Sequence, residues 1–81
     1  IMEEFILSPE DLTDGKIWLV KLIYLSSLVE TPAEARRLIS QGFITVDGQR
    51  FLDVNEHIAV KDGMTLGVGR FSFCKIKILH A

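Results

Sequence analysis

Hydrophobic and polar positions divide this chain into a helical first half and a strand-rich second half. Residues 16–29, KIWLVKLIYLSSLV, are apolar except at Lys16, Lys21, Ser26 and Ser27. A segment apolar on nearly every side predicts a helix covered by the rest of a small domain, with Lys21 on the one side that meets water or an anion. A second helix is better marked. Thr31, Pro32, Ala33 and Glu34 form a capping box, with the threonine as N-cap and proline at the first helical position. Ala35, Leu38 and Ile39 follow at i, i+3 and i+4 and make one apolar face. At about 100° per residue, Arg36, Arg37 and Ser40 fall on the opposite face. Gly42 stands where a left-handed C-terminal residue is needed.

Beyond Gly42 the period changes to two. Residues 43–46 and 49–52 flank Asp47-Gly48, a hairpin signal with both turn residues at positive φ, which places Thr45 opposite Arg50. Residues 53–63 predict a loop closed by a turn at Asp62-Gly63. Residues 65–68 and 71–79 predict two further strands around Gly69-Arg70. In the last of these the alternation slips, with Phe71 and Phe73 on one face and Ile76 and Ile78 on the other. A bulge near Cys74 would account for it and would leave Lys75 and Lys77 side by side. Residues 1–14 read as an acidic lead-in to a domain of residues 15–81. Ile1, Met2, Phe5, Ile6 and Leu7 suggest an extended segment, and Ser8-Pro9-Glu10-Asp11 a helix of one or two turns ending near Asp14-Gly15. A chain opening on IMEEF also suggests a piece of something longer. The expected architecture is α+β: two helices packed on a small, strongly twisted, mostly antiparallel sheet.

The 81 residues suit a single domain, and 48% apolar content supports a packed core rather than disorder. The one cysteine, Cys74, has no internal disulfide partner, as expected of an intracellular, cytoplasmic protein. No basic, apolar leader is visible, and residues 17–25 are far short of the roughly 20 a membrane helix needs. The net charge of −2 argues at first against nucleic acid. Its distribution changes that: Glu3, Glu4, Glu10, Asp11 and Asp14 all precede the first basic residue, Lys16. From Gly15 onward nine Lys and Arg face six Asp and Glu, so a mildly basic body follows an acidic leader.

The sequence holds no catalytic, cofactor or metal motif. His57 and His80 are too far apart to form a paired ligand spacing, and Cys74 in a strand reads as a small core residue. Gly67-Val68-Gly69 lacks the third glycine and the following helix of a nucleotide loop. Asp47 and Asp62, each before a glycine, are turn formers. The basic residues carry the remaining chemistry, and two readings stay open. In one, Arg37 pairs with Glu34 and Arg36 is merely solvated. In the other, Lys21, Arg36, Arg37 and Arg50 converge into a ledge that grips phosphate oxygens, extended by Lys16, Ser40, Lys75 and Lys77. Trp18 and Tyr24 could stack on bases, but in so apolar a helix they read as core.

The run T-x-x-E-A-R-R-L-I-x-Q-G followed by I-T-V-D-G resembles the RNA-binding fold of ribosomal small-subunit protein S-four, the alpha-L motif. D-G-K-I-W ahead of it, with K-D-G-M and V-G-R-x-x-F behind, is closer to one branch: the C-terminal domain of bacterial-type tyrosyl-tRNA synthetases. The resemblance covers about residues 14–79. It implies a non-catalytic, monomeric module that grips the tyrosine tRNA and its long variable arm. The parent's upstream catalytic domain would bind tyrosine and ATP, and a second upstream domain the anticodon. The family's A-R-x-L-I arginine falls on Arg36 and its helix-to-hairpin glycine on Gly42. Two positions depart from the motif. Trp18-Leu19-Val20-Lys21 stands where R-L-D-K is common, keeping only the charge of Lys21, and Pro32 replaces a frequent basic residue. Two alternatives stay open: a module of another RNA-directed enzyme, such as a pseudouridine synthase, or of a ribosome-associated factor; and a protein-docking module. A positive patch at the helix-to-hairpin corner is required only by the RNA readings.

Overall fold

The structure is a computed structural model that describes residues 3–79. Ile1, Met2, His80 and Ala81 lie outside the described residues, and with them part of the expected extended lead-in and one of the two histidines. In chain order the elements are β1 (Glu3–Leu7), a 3-10 turn (Pro9–Asp11), β2 (Lys16–Trp18), α1 (Leu19–Leu25), α2 (Pro32–Ser40), β3 (Ile44–Val46), β4 (Gln49–Phe51), β5 (His57–Ala59), β6 (Met64–Val68) and β7 (Ser72–Ile78). Five strands form one sheet in the order β1-β7-β6-β3-β4, antiparallel except for the parallel β1–β7 pair. β2 and β5 make a separate antiparallel pair. The α+β architecture, with two helices and a mostly antiparallel sheet, is as the sequence predicts.

One face of the five-stranded sheet carries the core. Leu7, Ile44, Met64, Leu66, Cys74 and Ile76 are buried there with Leu19, Val20, Leu22 and Ile23 of α1 and Ala35 and Ile39 of α2. Because side chains alternate along a strand, the intervening residues face the other way. These are Glu4 and Ile6, Thr45, Arg50, Thr65, Gly67, and Phe73, Lys75 and Lys77, of which only Gly67 is buried.

Five expectations need correction. Residues 16–18 are strand rather than helix. The Thr13–Lys16 bridge folds a tight turn over Asp14-Gly15, both at positive φ, and Lys16, Ile17 and Trp18 then pair with Ala59, Ile58 and His57. The helix therefore begins at Leu19 and ends at Leu25, ahead of Ser27 at φ 63°. Residues 53–63 are accordingly not all loop. The lead-in is not separate from the fold: Glu3–Leu7 adds an edge strand, and Leu7 is fully buried. The turn that follows is a single 3-10 turn whose Ser8 makes no side-chain cap. Lastly, β7 has no bulge. Residues 72–76 pair with 68–64 in unbroken register. Its alternation never slips, because Phe71 and Phe73 lie on the solvent side, 91% and 42% exposed, instead of in the core.

α2 forms as its signals dictate. Thr31 Oγ1 accepts the Glu34 N–H at 3.2 Å, and Pro32 occupies the first turn. At the other end, the Gly42 N–H donates to the Ile39 carbonyl and the Phe43 N–H to that of Leu38, each at 3.0 Å, with Gly42 at φ +82°. That is a Schellman closure, which satisfies two otherwise unpaired carbonyls. Replacing the cap, Thr31→Ala, should cost about 0.5–2 kcal/mol, read from the urea midpoint; an unchanged midpoint would show that the cap bond contributes nothing.

Candidate nucleic-acid interface

The outer face of α2 is the first part of the site. Burial of Ala35 and Ile39 turns Arg36, Arg37 and Ser40 to solvent, and all three are exposed. Ser40 Oγ donates to the Arg36 carbonyl at 3.1 Å, so that hydroxyl already serves its own helix. No side-chain hydrogen bond among the described residues engages a guanidinium or a lysine ammonium.

The hairpin brings a third arginine to the end of this helix. Asp47 and Gly48 both take positive φ, 50° and 84°, so the tight turn forms as predicted and Arg50 lies opposite Thr45. Asp47 also anchors the turn to β6: its Oδ1 accepts the Thr65 N–H and its own N–H donates to the Thr65 carbonyl, both at 2.8 Å. Arg50 is thereby laid against the C-terminal end of α2. A Cβ added to Gly42 would stand 3.5 Å from Arg50 Cδ and 3.9 Å from Nε. A guanidinium next to the carbonyl end of a helix is electrostatically well placed.

A hollow of about 310 Å³ opens at this corner. Arg50, Arg70, Phe43 and Thr45 line it together with Gln41, Gly42 and Gly69, and no carboxylate does. Arg70 is the functional candidate that sequence reasoning missed. Its sequence signal is the tight turn after β6. The ladder between β3 and β6 pairs Ile44 with Val68, and the Gly69 N–H then donates to the Phe43 carbonyl at 2.7 Å, which delivers the turn beside β3.

The remaining predicted residues lie in other places. Arg37 borders a hollow at the start of α2 with Thr31, Ala33 and Glu34. Lys16 and Lys21, both exposed, border a third with Asp11, Asp14, Trp18 and His57, so two carboxylates share their surroundings. Lys75 and Lys77 are half-buried on the outer side of β7, next to Glu4 and Ile6 of β1. The hollow at the corner thus holds Arg50 and Arg70 but none of Lys21, Arg36 or Arg37. Trp18 is half-buried, as a core reading expects, and its Nε1–H donates to the Val54 carbonyl at 2.7 Å. Tyr24 departs from that reading, being 44% exposed on α1.

The sheet order separates charge. The acids of β1, Glu3 and Glu4, stand on one edge strand, and Arg50 on the other. Four strand spacings of about 4.8 Å put roughly 19 Å between the two edges. Among the described residues no helix is long and apolar enough to cross a membrane, and no three His, Cys, Asp or Glu side chains are grouped as a metal site would require.

Residues 17–63, which run from β2 through both helices and the hairpin to the turn before β6, match the S4 domain. The chain belongs to the S4 domain family. This S4 domain is similar to part of several tyrosine–tRNA ligases. The one from Moorella thermoacetica is 32% identical over 84% of this chain, and that from Desulfotalea psychrophila 34% identical over 84%. The Salinibacter ruber ligase is 30% identical over 94%. In each case the match takes up 18% of the ligase, so the chain spans under a fifth of the length of these relatives.

Proposed function

We propose that this S4 domain is the C-terminal RNA-binding domain of a tyrosine–tRNA ligase, holding the backbone of the tyrosine tRNA while upstream domains carry out aminoacylation. On this reading the domain itself binds no cofactor. ATP and tyrosine are handled by the catalytic domain of the parent, the anticodon by a helical domain, and the whole works in the cytoplasm.

The observation that carries the reading is the exposed cationic face of α2, Arg36 and Arg37, together with a separate hollow past the helix's C-terminal end where Arg50 and Arg70 stand without a carboxylate. Planar guanidinium groups suit phosphate oxygens because each presents parallel N–H donors. Such contacts recognise shape and charge rather than sequence, as expected where RNA backbone is gripped. The similarity to tyrosine–tRNA ligases over most of the chain supports the choice of tRNA. Lys16 and Lys21, with Asp11 and Asp14 around them, contribute less than the arginines.

The test is filter binding to tyrosine tRNA across a salt series, comparing the parent chain with Arg36→Glu, Arg37→Glu. Losing two phosphate contacts to double-helical RNA should flatten the slope of log affinity against log salt by about 1.8. Low-salt affinity should fall by about a hundredfold or more, since each of the two contacts at a charged group is worth about 1.5–3 kcal/mol. Unchanged slope and affinity would remove α2 from the interface.

A further inference from the structure

From the corner that holds Arg50, Arg70 and Phe43, the outer face of the sheet runs across Thr45 and Gly67 to Phe73 on β7, and it exposes aromatic rings that backbone gripping does not use. Phe43 is 48% exposed, Phe73 42% and Phe71 91%, and Leu52 beside them is 61% exposed. Scattered exposed apolar residues need no explanation, but several along one face form a patch that marks a binding surface. The register shows how they are gathered. On the outer face of the sheet, Arg50, Thr45, Gly67 and Phe73 lie in one row across β4, β3, β6 and β7. Gly67, lacking a side chain, lets the Phe73 ring lie down along the row. A Cβ there would stand 3.1 Å from the Phe73 ring and 2.5 Å from Thr45 Oγ1, so the ring fills the space that a side chain would otherwise take. Phe43 and Arg70 border the hollow at the Arg50 end.

We propose that this corner, with the row that runs from it, is a stacking site for unpaired bases of an RNA, with Phe43 and Phe73 taking base faces and Arg50 and Arg70 the flanking phosphates. The proposal rests on the RNA-binding reading above and adds to its corner arginines the exposed rings of the sheet, with a preference for single-stranded segments. Its chemistry matches the occupant at both ends. A nucleotide offers a flat π-surface to each ring and an anion to each guanidinium, and stacking tolerates any base. The lining of the hollow offers Arg50 and Arg70 no carboxylate, so the corner suits an occupant that carries its own regularly spaced anions, as a nucleic-acid backbone does. Thr45, the one hydroxyl in the row, is placed to hydrogen-bond a base edge.

The experiment compares two RNAs on the 81-residue chain: a hairpin whose unpaired loop carries 2-aminopurine, and a blunt duplex of the same stem. Phe43→Leu and Phe73→Leu, singly and together, keep apolar bulk and remove the ring, with far-UV circular dichroism confirming the fold. Each single variant should bind the loop RNA about fivefold or more weakly. The double variant should abolish the stacking-dependent change in 2-aminopurine fluorescence, and duplex affinity and its salt slope should stay at the parent value. Arg36→Glu, Arg37→Glu should weaken both RNAs. If the phenylalanine variants bind loop and duplex as the parent does, or lose both equally with the fold intact, the stacking site is wrong while the α2 grip stands. Variants that spare RNA binding but no longer associate with the upstream domains supplied in trans would identify a protein-docking face and equally overturn it. If the parent chain binds neither RNA, the RNA-binding reading fails and this proposal fails with it.

Discussion

A chain shortened to begin at Ser8 should unfold, or melt far below the intact one. The truncation removes β1, whose five residues pair with Cys74 through Ile78 of β7. It also removes Leu7, which is fully buried, and Phe5, which packs on the core. Truncating one buried leucine to alanine costs about 2–5 kcal/mol, whereas a domain of this length holds roughly 4–12 kcal/mol in all. Losing the side chain together with its strand therefore takes most of the margin. Leu7→Ala in the intact chain should show the 2–5 kcal/mol alone in urea unfolding. A truncated chain with an unchanged midpoint would mean that β1 is dispensable.

Cys74 reports on the same strand. Its side chain is buried, and burial pushes the thiol above its ordinary value of 9.0. The Glu3 carboxylate raises it further, a hydrogen bond with the Phe5 backbone pulls it down, and Glu4 adds a smaller rise. In the folded chain Cys74 thus holds its proton at a pH where the unfolded chain has lost it. The resulting stability is full below the ordinary thiol pKa and is lost as pH climbs through the raised one. Urea midpoints should fall above about pH 9, and less so in Cys74→Ala. Removing β1 takes away the cover and both acids at once, so a thiol reagent at neutral pH should label Cys74 faster in the truncated chain than in the intact one.

Gly67→Val should be the most damaging single substitution on the outer face of the sheet. The backbone at residue 67 could accept valine, since it is an ordinary strand position; space is what forbids it. The new Cβ would stand 2.5 Å from Thr45 Oγ1, on a β-branched side chain with little rotamer freedom, and 3.1 Å from the Phe73 ring. Relief requires turning Thr45, displacing the ring or parting β3 from β6, and overpacking of this kind costs about 1–3 kcal/mol. A double-mutant cycle apportions the clash: Thr45→Ala should recover part of the loss in Gly67→Ala, with a coupling of about 0.5 kcal/mol or more. A Gly67→Val chain that unfolds with the parent would show that Thr45 and Phe73 do not close on this glycine. Where the ring is what yields, loop-RNA affinity should fall along with stability.

Sequence reading succeeded where the determining contacts are local. Thr31, Pro32, the Ala35-Leu38-Ile39 spacing and Gly42 define α2 within a dozen residues, and Asp47-Gly48 defines the hairpin within eight. It failed where the partner lies far along the chain. Lys16–Trp18 looked helical because an apolar run has no period of its own, and only pairing with His57–Ala59, some 40 residues on, makes it a strand. The lead-in looked detached because its acids are exposed, while Leu7 finds its place only against β7. A bulge is required only if the phenylalanines of the last strand belong inside; in the fold the inner face is filled by Cys74, Ile76 and Leu66, and the rings are left outside.

The candidate site divides along the same line. Arg36, Arg37 and Ser40 were legible as one exposed face because helical geometry alone sets their relation. Arg50 was legible opposite Thr45 because a two-residue turn sets register. That Arg50 would lie against Gly42, that Arg70 and Phe43 would join it at one corner, and that Phe73 would close on Gly67 in the same row are outcomes of strand order. Lys16 and Lys21 went the other way, into a hollow shared with Asp11 and Asp14. Backbone conformation and side-chain phase are short-range quantities and are written in neighbouring residues. Which surfaces come to share a corner depends on which strands pair, and that is decided only when the whole chain buries its core.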